Sequence, residues 1–214
     1  MQHHSTTPLA TLICAVLLGM CSSTSVSAGA ARNTAAPELD ATEAAGLTFM
    51  REEEKLARDV YQNFYPLWNN TLFDNISQSE QQHFDAIGGL LDRYRLDDPA
   101  RMDLPGVFQN PELQALYDQL INQGAASTLA ALQAGALIEE TDIEDIAKAI
   151  METDQPDILR VYENLLRGSR NHLRAFVAAI EASGIPYTAQ VLTQEQVDAI
   201  IDSPMERGHG TTGR

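Results

Sequence analysis

Apolar residues recur at helical spacing in four long stretches of the chain, and no stretch alternates as a strand would. The first predicts a helix from about residue 42 to 65, with Leu47, Met50, Ala57, Tyr61 and Phe64 on one stripe and Pro66 as its stop. The second predicts about 74–95: Ile76, Ile87, Leu90 and Tyr94 share a face, and Asp97-Asp98-Pro99 breaks the pattern. A Pro- and Gly-containing connection over 96–109 leads to a short helix with Asn110 as N-cap and Pro111 in the first position, ending near Gln123-Gly124. The third long helix starts after Ser127 and runs to about Glu152 on Leu132, Ala136, Ile143, Ile146 and Ile150. The fourth starts at Asp154 and Pro156 and runs to Ser183 on Tyr162, Leu165, Phe176 and Ile180, with Gly184 and Pro186 as its stop. A last short helix follows Thr193, where Thr193 and Gln196 fit a capping box.

Short links make the first two long helices, and the last two, antiparallel pairs. A connection of about thirty residues carrying the small helix joins the pairs, which is the one-crossover kind of bundle. The expected fold is therefore all-α, an antiparallel four-helix bundle over 42–186 with a long crossover between its second and third helices. A flexible linker over 29–41 precedes it, a short C-terminal helix region over 187–204 follows it, and a disordered tail is expected over 205–214.

The 214 residues are 44% hydrophobic, enough for one ordinary domain with a real core. A net charge of −16 repels nucleic-acid phosphates and anionic membranes, so no nucleic-acid partner is expected. Residues 1–28 lack Asp, Glu, Lys and Arg, carry an apolar run from Leu9 to Met20, and end in Val26-Ser27-Ala28, a small-x-small cleavage pattern. The expectation is export to the periplasm or outside the cell, with no transmembrane segment in the mature chain. Cys21 offers lipidation as a rival route, against which stands bulky Met20 at the bond to be cut. Both cysteines, Cys14 and Cys21, fall in this segment, so a mature domain has no disulfide, thiolate metal site or iron–sulfur cluster.

Five polar residues interrupt the apolar stripes near mid-helix: Glu54 on the first, Glu80 with His83 on the second, Glu139 on the third and His172 on the fourth. Each has a bland reading. An E-x-x-H arises often by chance, a lone histidine on a stripe is usually a hydrogen-bonded core residue, and Arg51-Glu-Glu-Glu-Lys55 and Glu139-Glu140 read as solvated charge runs. Together they say more. A carboxylate on an apolar face is costly unless protonated, paired or bound to a cation. The Glu80–His83 spacing puts both side chains one turn apart on one face. Mixed carboxylate and imidazole donors suit iron or manganese. Tyr61 and Tyr94 lie in register to serve as hydrogen-bond or redox partners, or as plain core.

The segments REEEKLARDVY, SEQQHFDAI, GALIEETDIEDI and NLLRGSRNHLRAF resemble the DUF2202 family. Glu54 with Ala57 and Tyr61, then Glu80-x-x-His83, then Glu139 with Asp142, are similar to the helices of ferritin-like and rubrerythrin-related diiron proteins. That resemblance, over about residues 42–183, implies a site for two iron ions, with manganese as the alternative metal. Its implied ligands are Glu54, Glu80, His83, Glu139, Asp142 and His172. It further implies oxidase, ferroxidase or peroxidase-type chemistry with dioxygen or peroxide, and a homodimer as an available assembly. One position departs from the pattern. The fourth helix carries Ser169-x-x-His172 where such proteins repeat E-x-x-H; Glu163 is out of register, which leaves Asp142, Glu140 or water to fill the place. The rival reading is a non-catalytic bundle whose metal is structural, acting as a periplasmic binding or interaction protein.

Overall fold

The computed structural model describes residues 38–100 and 102–208. The export segment over 1–28, the linker as far as residue 37 and the tail beyond 208 lie outside the described residues. Among those described there are six helices and no strand: α1 Ala41–Trp68, α2 Thr71–Tyr94, α3 Pro111–Gly124, α4 Thr128–Met151, α5 Pro156–Glu181 and α6 Gln194–Ile201. None is long and apolar enough to cross a membrane.

Local chemistry fixes most of the helix starts. Asp40 and Glu43 form a reciprocal capping box on α1, as do Thr193 and Gln196 on α6. Asn70, Asn110 and Ser127 cap α2, α3 and α4. Two expected ends shift. Pro66 lies inside the last turn of α1, where its missing N–H costs a single bond, and the helix ends at left-handed Asn69. The start of α5 falls to Gln155, which makes no side-chain cap bond, rather than to Asp154. Gly184, at φ 83°, takes the left-handed turn that ends the α5 region as expected.

Contacts run in opposite numerical directions between neighbouring long helices. Glu54, Arg58 and Tyr61 of α1 meet His83, Gln81 and Phe73 of α2. Phe73, Ser79 and His83 of α2 meet Phe176, His172 and Gly168 of α5. Gly135 and Glu139 of α4 meet Phe176 and His172 of α5, and Tyr61 of α1 reaches Glu139. Because α2 and α4 then point the same way, the chain between them must travel back along the molecule, and α3 lies on that return.

The core is split in two. One cluster gathers Tyr61, Phe64, Phe73, Leu132, Phe176 and Ile180. The other gathers Leu47, Met50, Ile87, Leu91, Ile146 and Tyr162. Tyr61, Phe73 and Phe176 pack ring against ring at 5.3 to 6.2 Å in the first cluster, each pair adding about 0.5–1.5 kcal/mol beyond burial. Between the clusters, on all four long helices, lies a layer of buried polar side chains that includes Glu54, Glu80, Glu139 and Ser169.

Of the tail expected over 205–214, only 205–208 are among the described residues, and Glu206 is tied back to α5. Glu206 binds Arg170 and Arg174 of α5, and its backbone N–H donates to Asn171.

Candidate metal centre

A helix turns by about 100° per residue, so successive side chains leave it in different directions. The charged run at the middle of α1 uses this fully. Every residue from Met50 to Tyr61 is buried, so the reading of Arg51–Lys55 as a solvated face is wrong. Arg51 reaches Asp98 and lies over the Phe84 ring. Lys55 pairs with Asp59 and donates to the Leu104 carbonyl. Arg58 reaches Asp103 and Gln81. These three pin the connection after α2 over α1. Glu52 accepts from the backbone N–H groups of Gln109 and Asn110, at the N-terminus of α3 where a negative charge is favoured. Glu53 turns toward α4. Glu54 turns into the polar layer, and the covering connection explains why a local pattern misreads the run.

Glu80 lies at the middle of that layer, wholly buried. Its Oε2 is 2.7 Å from His83 Nδ1, and its Oε1 is 2.7 Å from His172 Nδ1. Glu54 Oε2 is 3.2 Å from His83 Nδ1, and Glu139 Oε2 is 3.3 Å from His172 Nδ1. Two three-donor groups result, Glu54–Glu80–His83 and Glu80–Glu139–His172, each with its ligand atoms within 4.8 Å of one another. They share Glu80 and are related by the near-parallel imidazoles, whose ring centres are 5.6 Å apart. Neither Glu80 oxygen makes a hydrogen bond of acceptable geometry, and Glu54 Oε1, Glu139 Oε2 and His172 Nδ1 are likewise buried without one. Donor atoms that converge in distance but not in hydrogen-bond angle fit a shared cation better than they fit one another. The donor set, carboxylate oxygen with imidazole nitrogen, suits a first-row divalent ion.

Outer contacts hold the donors. The Tyr61 hydroxyl donates to Glu139 Oε1 at 2.6 Å. Ser79 Oγ is 3.0 Å from His172 Nε2, which leaves Nδ1 facing inward. Gly168 gives His83 its place: a Cβ there would lie 2.5 Å from the ring.

Charge is crowded here. Burial pushes the Glu54 carboxyl up to about 7, with His83 opposing and Glu80 adding to the rise. Burial raises Glu139 too. It would raise Glu80, but His172 and His83 outweigh it and hold that carboxyl well below the usual range. Burial disfavours charged imidazole, yet Glu80 and Glu54 lift His83 well above its ordinary value, and Glu80 and Glu139 lift His172 to about 10. Asp142 is raised well above its ordinary value by burial and by Glu53 and Glu54.

Of the six expected ligands, the structure brings together Glu54, Glu80, His83, Glu139 and His172. Asp142 is buried beside them and feels Glu54, Glu139 and Glu80, but it belongs to neither three-donor group. Glu140 does not compensate for the fourth-helix glutamate. Its oxygens accept from the Tyr187 hydroxyl and from the backbone N–H groups of Gln190, Val191 and Leu192. Ser169 is buried and donates to the Leu165 carbonyl, while Glu163 is exposed. Tyr94 bonds Asp157, away from the site. Ser79, Gly168 and Glu53 escape a reading of the stripes. Gly168 alone left a trace, four residues before His172 and so on its face.

Among its described residues the molecule is thus all-helical, with a buried cluster of glutamates and histidines. Residues 43–204 match the family described as "Uncharacterized protein domain (DUF2202)", and the chain belongs to that family. It is 50% identical over 163 residues to "Uncharacterized protein MJ0754" of Methanocaldococcus jannaschii, covering 76% of this chain and 88% of that protein. The crystal structure of hypothetical protein MJ0754 from Methanococcus jannaschii superposes with a TM-score of 0.77 at 47% identity, covering 79% of this chain and 97% of the other.

Proposed function

We propose that the protein is an exported, ferritin-like four-helix bundle that holds two metal ions, iron in the first place, between α1, α2, α4 and α5. The observation that carries this reading is Glu80, whose two oxygens each face a different histidine at 2.7 Å. One carboxylate shared by two otherwise separate donor groups is how a bridging ligand is disposed. The opposed directions of neighbouring helices and the long return through α3 support the one-crossover bundle. The uncharged, apolar stretch over 1–28 supports export.

Three buried carboxyls, Glu54, Glu80 and Glu139, face two imidazoles across this layer, and two more, Glu53 and Asp142, are buried close by. Two divalent cations offset that excess, which imidazolium alone does not. When bound, the iron pair supplies electrons for the reduction of dioxygen or peroxide. The protein's part is to keep Glu80 central, to hold Glu139 through Tyr61, to present Nδ1 of His172 by engaging its Nε2 with Ser79, and to exclude bulk water with the two apolar clusters above and below. A second reading, a structural metal clip in a non-catalytic binding protein, is favoured by Ser169, which leaves the site one carboxylate short.

Anaerobic titration with Fe(II) and Mn(II), followed by melting curves, tests the metal. Up to two ions per chain should bind and raise the melting temperature. Replacing His83 by alanine should remove binding at its group. No binding and no melting shift in either titration would refute the metal reading. Exposure of the Fe(II) form to dioxygen then separates the two readings: oxygen consumption supports redox chemistry, and stable Fe(II) supports the clip.

A further inference from the structure

A groove of about 540 Å³ runs along the seam between the start of α1 and the end of α4, lined by residues that include Gly46, Met50, Asp145 and Lys148. One turn further along α1 from Met50 is Glu53; one turn back along α4 from Asp145 is Asp142. Glu53 feels the negative charge of Asp145 across the seam. Glu53 and Asp142 also meet at a cavity of about 10 Å³ whose other walls include the apolar Leu56, Leu113, Leu116 and Ile138. Both side chains are buried, 4% and 2% exposed, and Glu53 Oε2 and Asp142 Oδ2 have no hydrogen-bond partner. Asp142 in turn stands next to Glu54, a member of the His83 donor group.

Among the described residues, no Lys, Arg or His pairs with Glu53, Asp142 or Asp145. The basic residues nearest in sequence on α1, namely Arg51, Lys55 and Arg58, are taken up by Asp98, Asp59 and Asp103. Asp145, Glu53, Asp142 and Glu54 thus place carboxylates at intervals between the groove and the buried centre. Asp145 and Asp142 lie about one turn apart on α4. These carboxylates come in pairs, and no three of them converge as the donors around Glu80 do. Paired oxygens bind a hard cation weakly, which suits passage rather than retention.

We propose that Asp145, Glu53 and Asp142 form an entry path along the α1–α4 seam that passes divalent cations from the groove to the glutamate–histidine centre. The proposal rests on the metal reading above. Asp145 is half-buried at the groove and meets the hydrated ion first. Glu53 and Asp142 then replace its waters in turn, and Glu54 receives it. Lys148, at the groove's edge, is exposed and leaves the path open.

The test is the rate of loading. Co(II) is added without oxygen to metal-free full-length protein, and its visible absorption reports arrival at the histidines; His83→Ala identifies that signal. Glu53→Gln and Asp145→Asn should each slow loading by about tenfold or more, as loss of a focusing charge does. The final number of bound ions should be unchanged. Asp145→Asn is the milder variant, at the groove and outside the core, and circular dichroism confirms that both fold. Wild-type loading rates in both variants overturn the path while leaving the metal centre standing. Loss of an equivalent at equilibrium makes Glu53 a retained ligand, and also overturns it. Failure of the wild-type protein to take up cobalt at all overturns both the path and the metal reading.

Discussion

Glu139 and Glu140 are adjacent and wholly buried, and they act in opposite ways. Glu140 is a structural anchor: backbone amides of 190–192 and the Tyr187 hydroxyl converge on it and fix the strap between α5 and α6. Hydrogen bonds to a charged group contribute about 1.5–3 kcal/mol each, and their loss would strand buried amides. Glu140→Ala should therefore destabilise the protein by about 3 kcal/mol and leave metal binding intact. Glu139 accepts one hydrogen bond, from the Tyr61 hydroxyl, and its other oxygen lies 3.3 Å from His172 beside the negative charge of Glu80. Glu139→Ala should leave the metal-free protein no less stable and cost it one bound ion. Denaturant unfolding and a metal titration on each variant decide this; an ion lost from Glu140→Ala would reverse the two roles.

The packing of α2 against α5 depends on Gly168, because the His83 ring occupies the volume a side chain would take. Gly168→Ala should force the ring aside at a cost of about 1–3 kcal/mol. Binding at the Glu54–Glu80–His83 group should weaken by about tenfold, the equivalent of 1.4 kcal/mol. Gly89→Ala is the control. Nothing lies within 4 Å of a Cβ there, so it should stabilise α2 by about 0.5–1 kcal/mol with no effect on metal. Paired melting curves and titrations give the answer, and equal behaviour of the two variants would remove Gly168 from the site. Such contacts mark the limit of what the chain discloses by itself. The start of α3 and the capping box of α6 follow from neighbours in sequence, so Asn110, Pro111, Thr193 and Gln196 were legible. Glu54, Glu80, His83, Glu139 and His172 were legible because each breaks an apolar stripe at a similar depth. The work of Glu52 and Glu53, and the reach of Lys55 to Leu104, were not legible, since these partners lie beyond residue 100 and only the fold brings them near. Ser79 was hidden for the same reason: its partner is ninety-three residues away.

A polar layer between two apolar clusters makes the stability of the whole molecule a function of pH and, on the metal reading proposed above, of bound cations. Glu54 rises from 4.5 to about 7, and His172 from 6.5 to about 10; Glu53, Glu139, Asp142 and His83 move upward as well. A group whose folded value is raised contributes stability that is present below its unfolded value and is lost as pH rises through the folded one. Above about pH 4.5, therefore, the folded chain binds more protons than the unfolded chain, and stability must fall as pH rises. Three groups act in the other direction. Glu80 lies below the usual range, as does Asp157, bonded by Tyr94, and Glu206, bonded by Arg170 and paired with Arg174, falls to about 2; all three lose their contribution only as pH drops below 4.5, outside this window. Metal ions replace the displaced protons, so the loaded protein should escape the decline. Melting temperatures of the chelator-treated protein should thus fall steadily from about pH 5 to about pH 8, while those of the Mn(II)-saturated protein hold or rise, and the gap between the curves should widen with pH. A metal-free protein that grows more stable over that range would mean the layer is not a store of protons awaiting a cation, and that its carboxyls are compensated within the fold.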